Sequence, residues 1–359
     1  MSTPKSTAAA NSAPAYADES DIILCTMGRL TRNLSGIPFP GWSTERDRAA
    51  VVEQVLPVLQ ARRGCKTAWH ADMESLSYEK RRELLARFQL TPVMAARGKG
   101  CHIMLPGRRN NTAYLINEED HVVCHFFRRS SFSRAFTALY ADMLDTADYL
   151  QEHLPLAHNR RNGYLTADPT EAGDAMRFGA MLHLPALCMA GMLPQVVKGV
   201  EKLHLFMNAT GGYRQSETED AGNLYSFYSL TGPEHSTDEI AEYFENIIFR
   251  LAEREQQVRA KLLATDRQRL QDCVGRAYGL LRYACSLSLK ELHGALSLIR
   301  MGSVLGLITW EEGLAAVLPL LRDLQAATGP LQQEAELPQW RSAAVRVFFN
   351  EHPHHLLFP

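Results

Sequence analysis

Between residues 100 and 128 three short apolar runs follow one another, Cys101 to Leu105, Ala113 to Ile116 and Val122 to Phe127. The first break is a Gly107 to Asn111 turn, and the second is Asn117-Glu118-Glu119-Asp120-His121. Apolar runs of this length, bounded by Gly, Asn and Asp, predict neighbouring strands. The chain must therefore build a sheet here, with a concentrated group of acids at the junction of two of its strands. Taken alone, such a cluster reads as a solvated strand end.

The rest of the chain surrounds this block with mostly helical pattern. Residues 43–63 and 75–90 have helical spacing, with Val51, Val55, Val58 and Leu59 on one stripe, and predict a small helical subdomain. Asp21 to Leu24 is a short apolar run, and Ile37-Pro38-Phe39-Pro40 reads as extended and turn-rich. Residues 134–152 predict a helix, and 175–192 are expected to begin another, apolar enough to be buried on several sides. Leu203 to Asn208 and Leu224 to Leu230 read as strands flanking a polar loop, 209–222. Ser236 with Glu239 forms a capping box for a long amphipathic helix reaching about 263, and 266–325 continue as helices.

Composition narrows the class. At 359 residues the chain can bury a large core, and its formal charge of −2 excludes a globally basic nucleic-acid footprint. Seven scattered cysteines without a C-x-x-C pair argue for a reducing cytoplasm and against a disulfide framework or structural zinc site. Residues 1–19, rich in Ala, Ser, Thr and Pro, are expected to be a disordered tail without a signal-peptide core. No apolar run approaches bilayer length. His352, His354 and His355 read as a solvated tail, and Arg128-Arg129 as a surface turn or a contact for an acidic partner.

The acid cluster, Gly163-Tyr164-Leu165-Thr166, and Arg177 running on to His183-Leu184-Pro185-Ala186 together resemble the guanidino-phosphotransferase (phosphagen kinase) family. The likeness is strongest to its bacterial protein arginine kinase branch, through Met181 to Ala186, Arg276-Ala277-Tyr278-Gly279 and Ile299-Arg300-Met301-Gly302. It spans roughly residues 21–310. Transfer of a γ-phosphoryl group to a guanidinium asks for carboxylates that orient and deprotonate the acceptor and arginines that hold the triphosphate. The resemblance assigns the carboxylates to Glu119 and, in the loop from Gly211 to Asn223, to Glu219. It assigns phosphate contacts to Arg29, Arg177 and Arg214.

Several positions depart from the family pattern. One N-terminal phosphate-binding arginine is replaced by Met27, and another, after the acid cluster, by Val123. The family's assisting cysteine is replaced by Asp168, whose negative charge can stand in for the thiolate. Glu171 and Asp174 add acids to the same loop, which is expected to border the transferred phosphate. Two cations lost and two anions gained move the site by about four charge units against a triphosphate.

The resemblance implies an α+β catalytic fold, an antiparallel sheet flanked by helices, with a small helical N-terminal part and a helical C-terminal domain. The expected boundaries are 20–98, 99–264 and 265–359. The implied function is ATP-dependent phosphorylation of protein arginine with ATP and Mg²⁺, in the cytoplasm. Implied partners are arginine-containing protein substrates, a zinc-binding activator and a Clp-type unfoldase, and the glycine-containing C-terminal helices are compatible with a homodimer. The alternative is a catalytically weak or inactive paralogue kept as a binding module. Arg341 to Arg346 is at best a degenerate counterpart of that branch's phosphoarginine-sensing segment, so the resemblance does not carry the sensing role across.

Overall fold

The structure is a computed structural model and describes residues 21–107, 112–129, 132–209, 222–230, 236–310, 337–351 and 354–358. Its centre is an eight-stranded antiparallel sheet in the order β2-β3-β4-β5-β1-β8-β10-β9. The strands are β1 (Ile23–Arg32), β2 (Trp69–Asp72), β3 (His102–Leu105), β4 (Thr112–Ile116), β5 (Val122–Arg128), β8 (Met176–His183), β9 (Leu205–Ala209) and β10 (Leu224–Ser229). A small hairpin of β6 (His158–Asn159) and β7 (Gly163–Tyr164) stands apart from the sheet. The short Asp21 to Leu24 run opens the central strand, β1, which pairs with both β5 and β8.

Two cores lie on opposite faces of the sheet. Leu30, Cys124, Phe126, Phe178 and Phe227 point to one side, where α4 (Phe132–His153) and α7 (Thr237–Thr265) cover them. An aromatic cluster joins these layers: Phe136 lies 5.3 Å from Phe178 and 5.9 Å from Phe244, between ring centroids. On the other face Ile103, Ala113, Leu115 and Val123 pack with Leu84, Leu90 and Met94 from α2 (Tyr78–Ala86) and α3 (Pro92–Ala96). Among the described residues, those helices cover the β2-to-β5 end of the second face and not β1, β8, β10 and β9. Helix α1 (Glu45–Ala61), capped by a reciprocal Thr44–Asp47 box, adds Val51, Val55 and Leu59 to the first core.

The apolar run from 175, expected to begin a helix, is instead β8. A strand in mid-sheet that carries apolar residues on both faces reads as a continuous apolar run, which periodicity cannot separate from a buried helix. Met176, Phe178, Ala180 and Leu182 enter the first core while Arg177, Gly179 and Met181 alternate to the other face. Pro185 then opens the short helix α5 (Pro185–Met189), followed by α6 (Leu193–Lys202). The Ser236–Glu239 capping box that starts α7 is present as read from sequence.

Beyond α7, helices α8 (Arg267–Tyr283) and α9 (Leu289–Val304) pack side by side, and α10 (Leu337–Glu351) leans on α8. Two of the three terminal histidines lie in a strand and not in a tail. His354 and His355 lie in β12 (His354–Leu356), which pairs with β11 (Ile308–Trp310), and His354 Nε2 sits 3.2 Å from the Tyr278 hydroxyl. His352 lies outside the described residues. Arg128 is likewise a strand residue paired with Asp142, not part of a turn.

Candidate active site

The acid cluster is the five-residue connection of the β4–β5 hairpin, closed by Asn117 N–H donating to the His121 carbonyl at 3.0 Å. Asn117 takes a left-handed backbone, φ 61°, and its amide donates to the carbonyls of Arg48 and Gly100. Asn tolerates that region better than most residues and can satisfy nearby backbone with its own side chain. The turn then distributes its side chains by role. Asp120 accepts from Asn33 Nδ2 and Ala167 N, both at 2.6 Å, and ties the turn to two neighbouring segments. His121 Nδ1 accepts from Leu34 N–H at 3.0 Å, so its Nε2 carries the proton donated to Pro38 O at 2.9 Å.

Glu118 points inward and is 1% exposed, whereas Glu119 is 52% exposed at the edge of a cavity of about 350 Å³. This cavity lies on the second face of the sheet, beyond the part that α2 and α3 cover. Arg29 on β1 stands directly opposite His125 on β5 and Arg177 on β8, so strand register alone brings the three together. Arg29 pairs with Glu118 at 3.0 Å, approaches Glu119 at 3.8 Å and Glu171 at 3.7 Å, and donates to His125 Nε2 at 3.2 Å. Arg177 pairs with Glu171 at 2.6 Å and lies 5.1 Å over the Phe206 ring.

The electrostatics follow from this packing. Burial works against the Arg29 charge, but Glu118 and Glu171 outweigh it and hold its pKa above the ordinary value. Burial likewise opposes ionisation of Glu118, yet Arg29, with further help from His125 and the Thr91 hydroxyl, holds that carboxyl below its usual range. Burial first, and then the nearby Arg29 charge, push His125 down to about 4, so it accepts from Arg29 as a neutral ring.

Met27 and Val123, expected from the resemblance to stand in place of two arginines, meet different fates. Met27 faces Gly179 in the cavity floor, and a Cβ on Gly179 would come within 2.9 Å of the Tyr228 ring. Val123 is fully buried under α2 and α3, where a cation would have no water. Paired aromatics form the side walls: Phe88 stacks on Phe127 at 5.4 Å and Phe206 on Tyr228 at 5.0 Å.

The 168–175 loop does not present all its acids to the cavity. Asp168 caps a one-turn 3₁₀ helix, accepting from Thr170 N at 2.9 Å, and these bonds hold its carboxyl below the ordinary range. Asp174 turns away and accepts from the Thr237 hydroxyl at the start of α7, so only Glu171 of the two added acids borders the cavity. Gly163, with φ +69°, lets the loop close: a Cβ there would lie 2.5 Å from the Gly173 carbonyl oxygen. Glu219 and Arg214 lie outside the described residues. Sequence reading missed His125, Phe88 and Tyr228, whose only signal was alternation along strands or proximity to a helix end.

A further consequence concerns acid stability. Burial depresses the pKa of His121, His183 and, to about 4 each, His125 and His293. The unfolded chain, with ordinary pKa values near 6.5, then binds more protons than the folded one, so stability falls as pH drops from ~6.5 toward ~4. His125 and His293 contribute on the order of 3 kcal/mol each across that window. Urea midpoints should decrease steadily from pH 7 to 5, and a flat profile would contradict the neutral-histidine assignment.

Comparison with known proteins accords with this geometry. Residues 50–258 match the model of the ATP:guanido phosphotransferase C-terminal catalytic domain, and 267–347 that of the protein-arginine kinase McsB C-terminal domain. The chain is 30% identical over 326 residues to the protein-arginine kinase of Shouchella clausii, covering 89% of this chain and 87% of that one. It is 32% identical over 295 residues to that of Moorella thermoacetica, covering 81% and 82%. Among solved structures it is similar to lombricine kinase, with a TM-score of 0.57 and 19% identity over 71% of each chain. The duplicated taurocyamine kinase of Schistosoma mansoni gives 0.60 and 19%, over 76% of this chain and 40% of that one. An antiparallel sheet that sets Glu119 near Arg29 and Arg29 opposite Arg177, and matches that run through both halves of the chain, make this protein a member of the ATP:guanido phosphotransferase family.

Proposed function

We propose that the chain is a protein-arginine kinase, transferring the γ-phosphoryl group of MgATP to the guanidinium of an arginine side chain. The observation that carries this reading is the convergence of Glu119, Arg29 and Arg177 on one cavity, in a chain whose relatives are protein-arginine kinases over most of their length. Arg29 and Arg177 fit one anionic group between them. No cluster of three or more His, Cys, Asp or Glu that could hold a metal occurs among the described residues, so Mg²⁺ is taken to enter with the nucleotide.

Each residue then has a task. Glu118 holds Arg29 in place from the buried side, and His125 accepts from the same guanidinium. Glu119, at the solvent edge, orients the incoming guanidinium and accepts a proton from the nitrogen that attacks phosphorus. The new P–N bond forms as the bond to the β–γ bridging oxygen breaks, and that electron pair leaves with ADP. Arg29 and Arg177 stabilise charge on the transferred group. Glu219 and Arg214 are assigned to this chemistry by family resemblance, and Asp168 helps only through its negative charge near the loop. Arginine in unfolded protein is the proposed acceptor, with a zinc-binding activator and a Clp-type unfoldase as proposed partners in the cytoplasm. No helix among the described residues is long and apolar enough to cross a membrane.

The test is to incubate the protein with MgATP and an arginine-rich unfolded protein and search for phosphoarginine by mass spectrometry at neutral pH. Phosphoarginine dependent on MgATP is expected. Its absence with folded protein and its activator present would overturn the kinase reading.

A further inference from the structure

Resting on that reading, we infer that Glu171 is an internal anion seated where a phosphate of the nucleotide binds, and that ATP enters only by displacing its carboxylate from Arg29 and Arg177.

The two arginines face each other across the β1–β8 pair, and the Glu171 carboxylate reaches both. One oxygen is 2.6 Å from Arg177 Nη2, and the other is 3.7 Å from Arg29 Nε. A carboxylate bridging two guanidinium groups repeats the contact an anionic phosphate oxygen pair makes. Glu171 is only 15% exposed, so this is not a surface acid resting on a convenient cation.

The loop is built to deliver it. Asp168 caps the turn that carries Glu171, Tyr164 N–H donates to the Gly173 carbonyl at 2.7 Å, and Arg32 donates to the Asp174 carbonyl at 2.9 Å. These ties fix the backbone on both sides of Glu171 and none of them uses its side-chain carboxylate. Exchange therefore needs a rotation of one side chain and no refolding of the loop.

The seat is also incompletely filled. Among the described residues, the Nε atoms of Arg29 and of Arg177 are buried without a hydrogen-bond partner. A carboxylate has two oxygens and cannot serve every donor there, whereas a terminal phosphate offers three. When Glu171 leaves, Arg29 retains Glu118, so only Arg177 needs the incoming anion as its replacement partner.

Isothermal titration with MgATP and, separately, with inorganic tripolyphosphate tests this on wild type, Glu171→Gln, Glu171→Ala and Asp174→Asn. The last is the control, because Asp174 is an acid of the same loop turned toward Thr237. Both Glu171 variants, checked for cooperative melting, are expected to bind both ligands about tenfold or more tightly than wild type, and Asp174→Asn to match wild type. Unchanged or weaker binding in both Glu171 variants overturns the inference, even if the wild type makes phosphoarginine. Tighter binding without phosphoarginine at saturating MgATP upholds the inference and overturns the kinase reading instead.

Discussion

Glu119→Gln is expected to lower the rate of phosphoarginine formation by about two to four orders of magnitude, the usual range for removing a positioned proton acceptor. Glu119 is half-exposed and, among the described residues, makes only the 3.8 Å approach to Arg29, so its loss should leave folding and nucleotide affinity close to wild type. The effect should therefore fall on kcat. Glu118→Gln makes the informative contrast. Glu118 is buried against Arg29 and also accepts from the Thr91 hydroxyl, so neutralising it leaves a buried guanidinium short of its anion. That variant should lose stability and nucleotide affinity together, raising KM for ATP as well as lowering kcat. Single-turnover rates at saturating MgATP separate the two. Equal loss of kcat and unchanged thermal stability in both variants would contradict the division of labour within the Glu118–Glu119 pair.

Glu255→Ala is expected to destabilise the fold by about 3–5 kcal/mol, the range for removing one partner of a buried ion pair. Glu255 on α7 is fully buried and accepts from Ala186 N at 3.0 Å and Leu187 N at 2.9 Å, at the start of α5. It also pairs with Arg259 at 2.7 Å, and Arg259 in turn donates to the His183 carbonyl at 3.2 Å. Removing the carboxylate strands one buried cation and two backbone donors at once. The network reaches into the C-terminal helices, where His183 Nε2 lies 2.8 Å from Ser297 Oγ on α9. Guanidinium-chloride unfolding measures the loss directly. Replacing Glu255 and Arg259 together by leucine should recover part of it, since no unpaired charge then remains. A single-variant loss below about 1 kcal/mol would show that the pair is not structurally required.

The strands around the acid cluster were legible because each is a short run bounded by turn residues, and the α7 start because its Ser236–Glu239 box is a local signal. β8 was not, because its alternation between Phe178 and Arg177 or Gly179 is masked by apolar residues on both faces. β12 was hidden for a different reason: a three-residue strand has no pattern of its own and exists through pairing with β11. Within the site, the resemblance singled out Glu119, Arg29 and Arg177 by residue type and order. It gave Glu171 and Asp174 the same expectation, and only the fold separates them, sending one carboxylate to two arginines and the other to Thr237. His183 shows the same limit. Its motif marked the family, but its contacts make it a strut between the sheet and α9.

By itself the sequence determined the family, the sheet-forming block, the helix starts and the residues that carry charge, because these depend on short spacings and on local backbone preferences. Tertiary structure alone decided which charges meet. Arg29 and Arg177 are 148 positions apart in the chain and become neighbours through strand register, and the acid that reaches them is selected by a loop closed at Gly163 and Gly173. Ion pairing acts over a few ångströms, so partners distant in sequence are fixed only when the sheet forms.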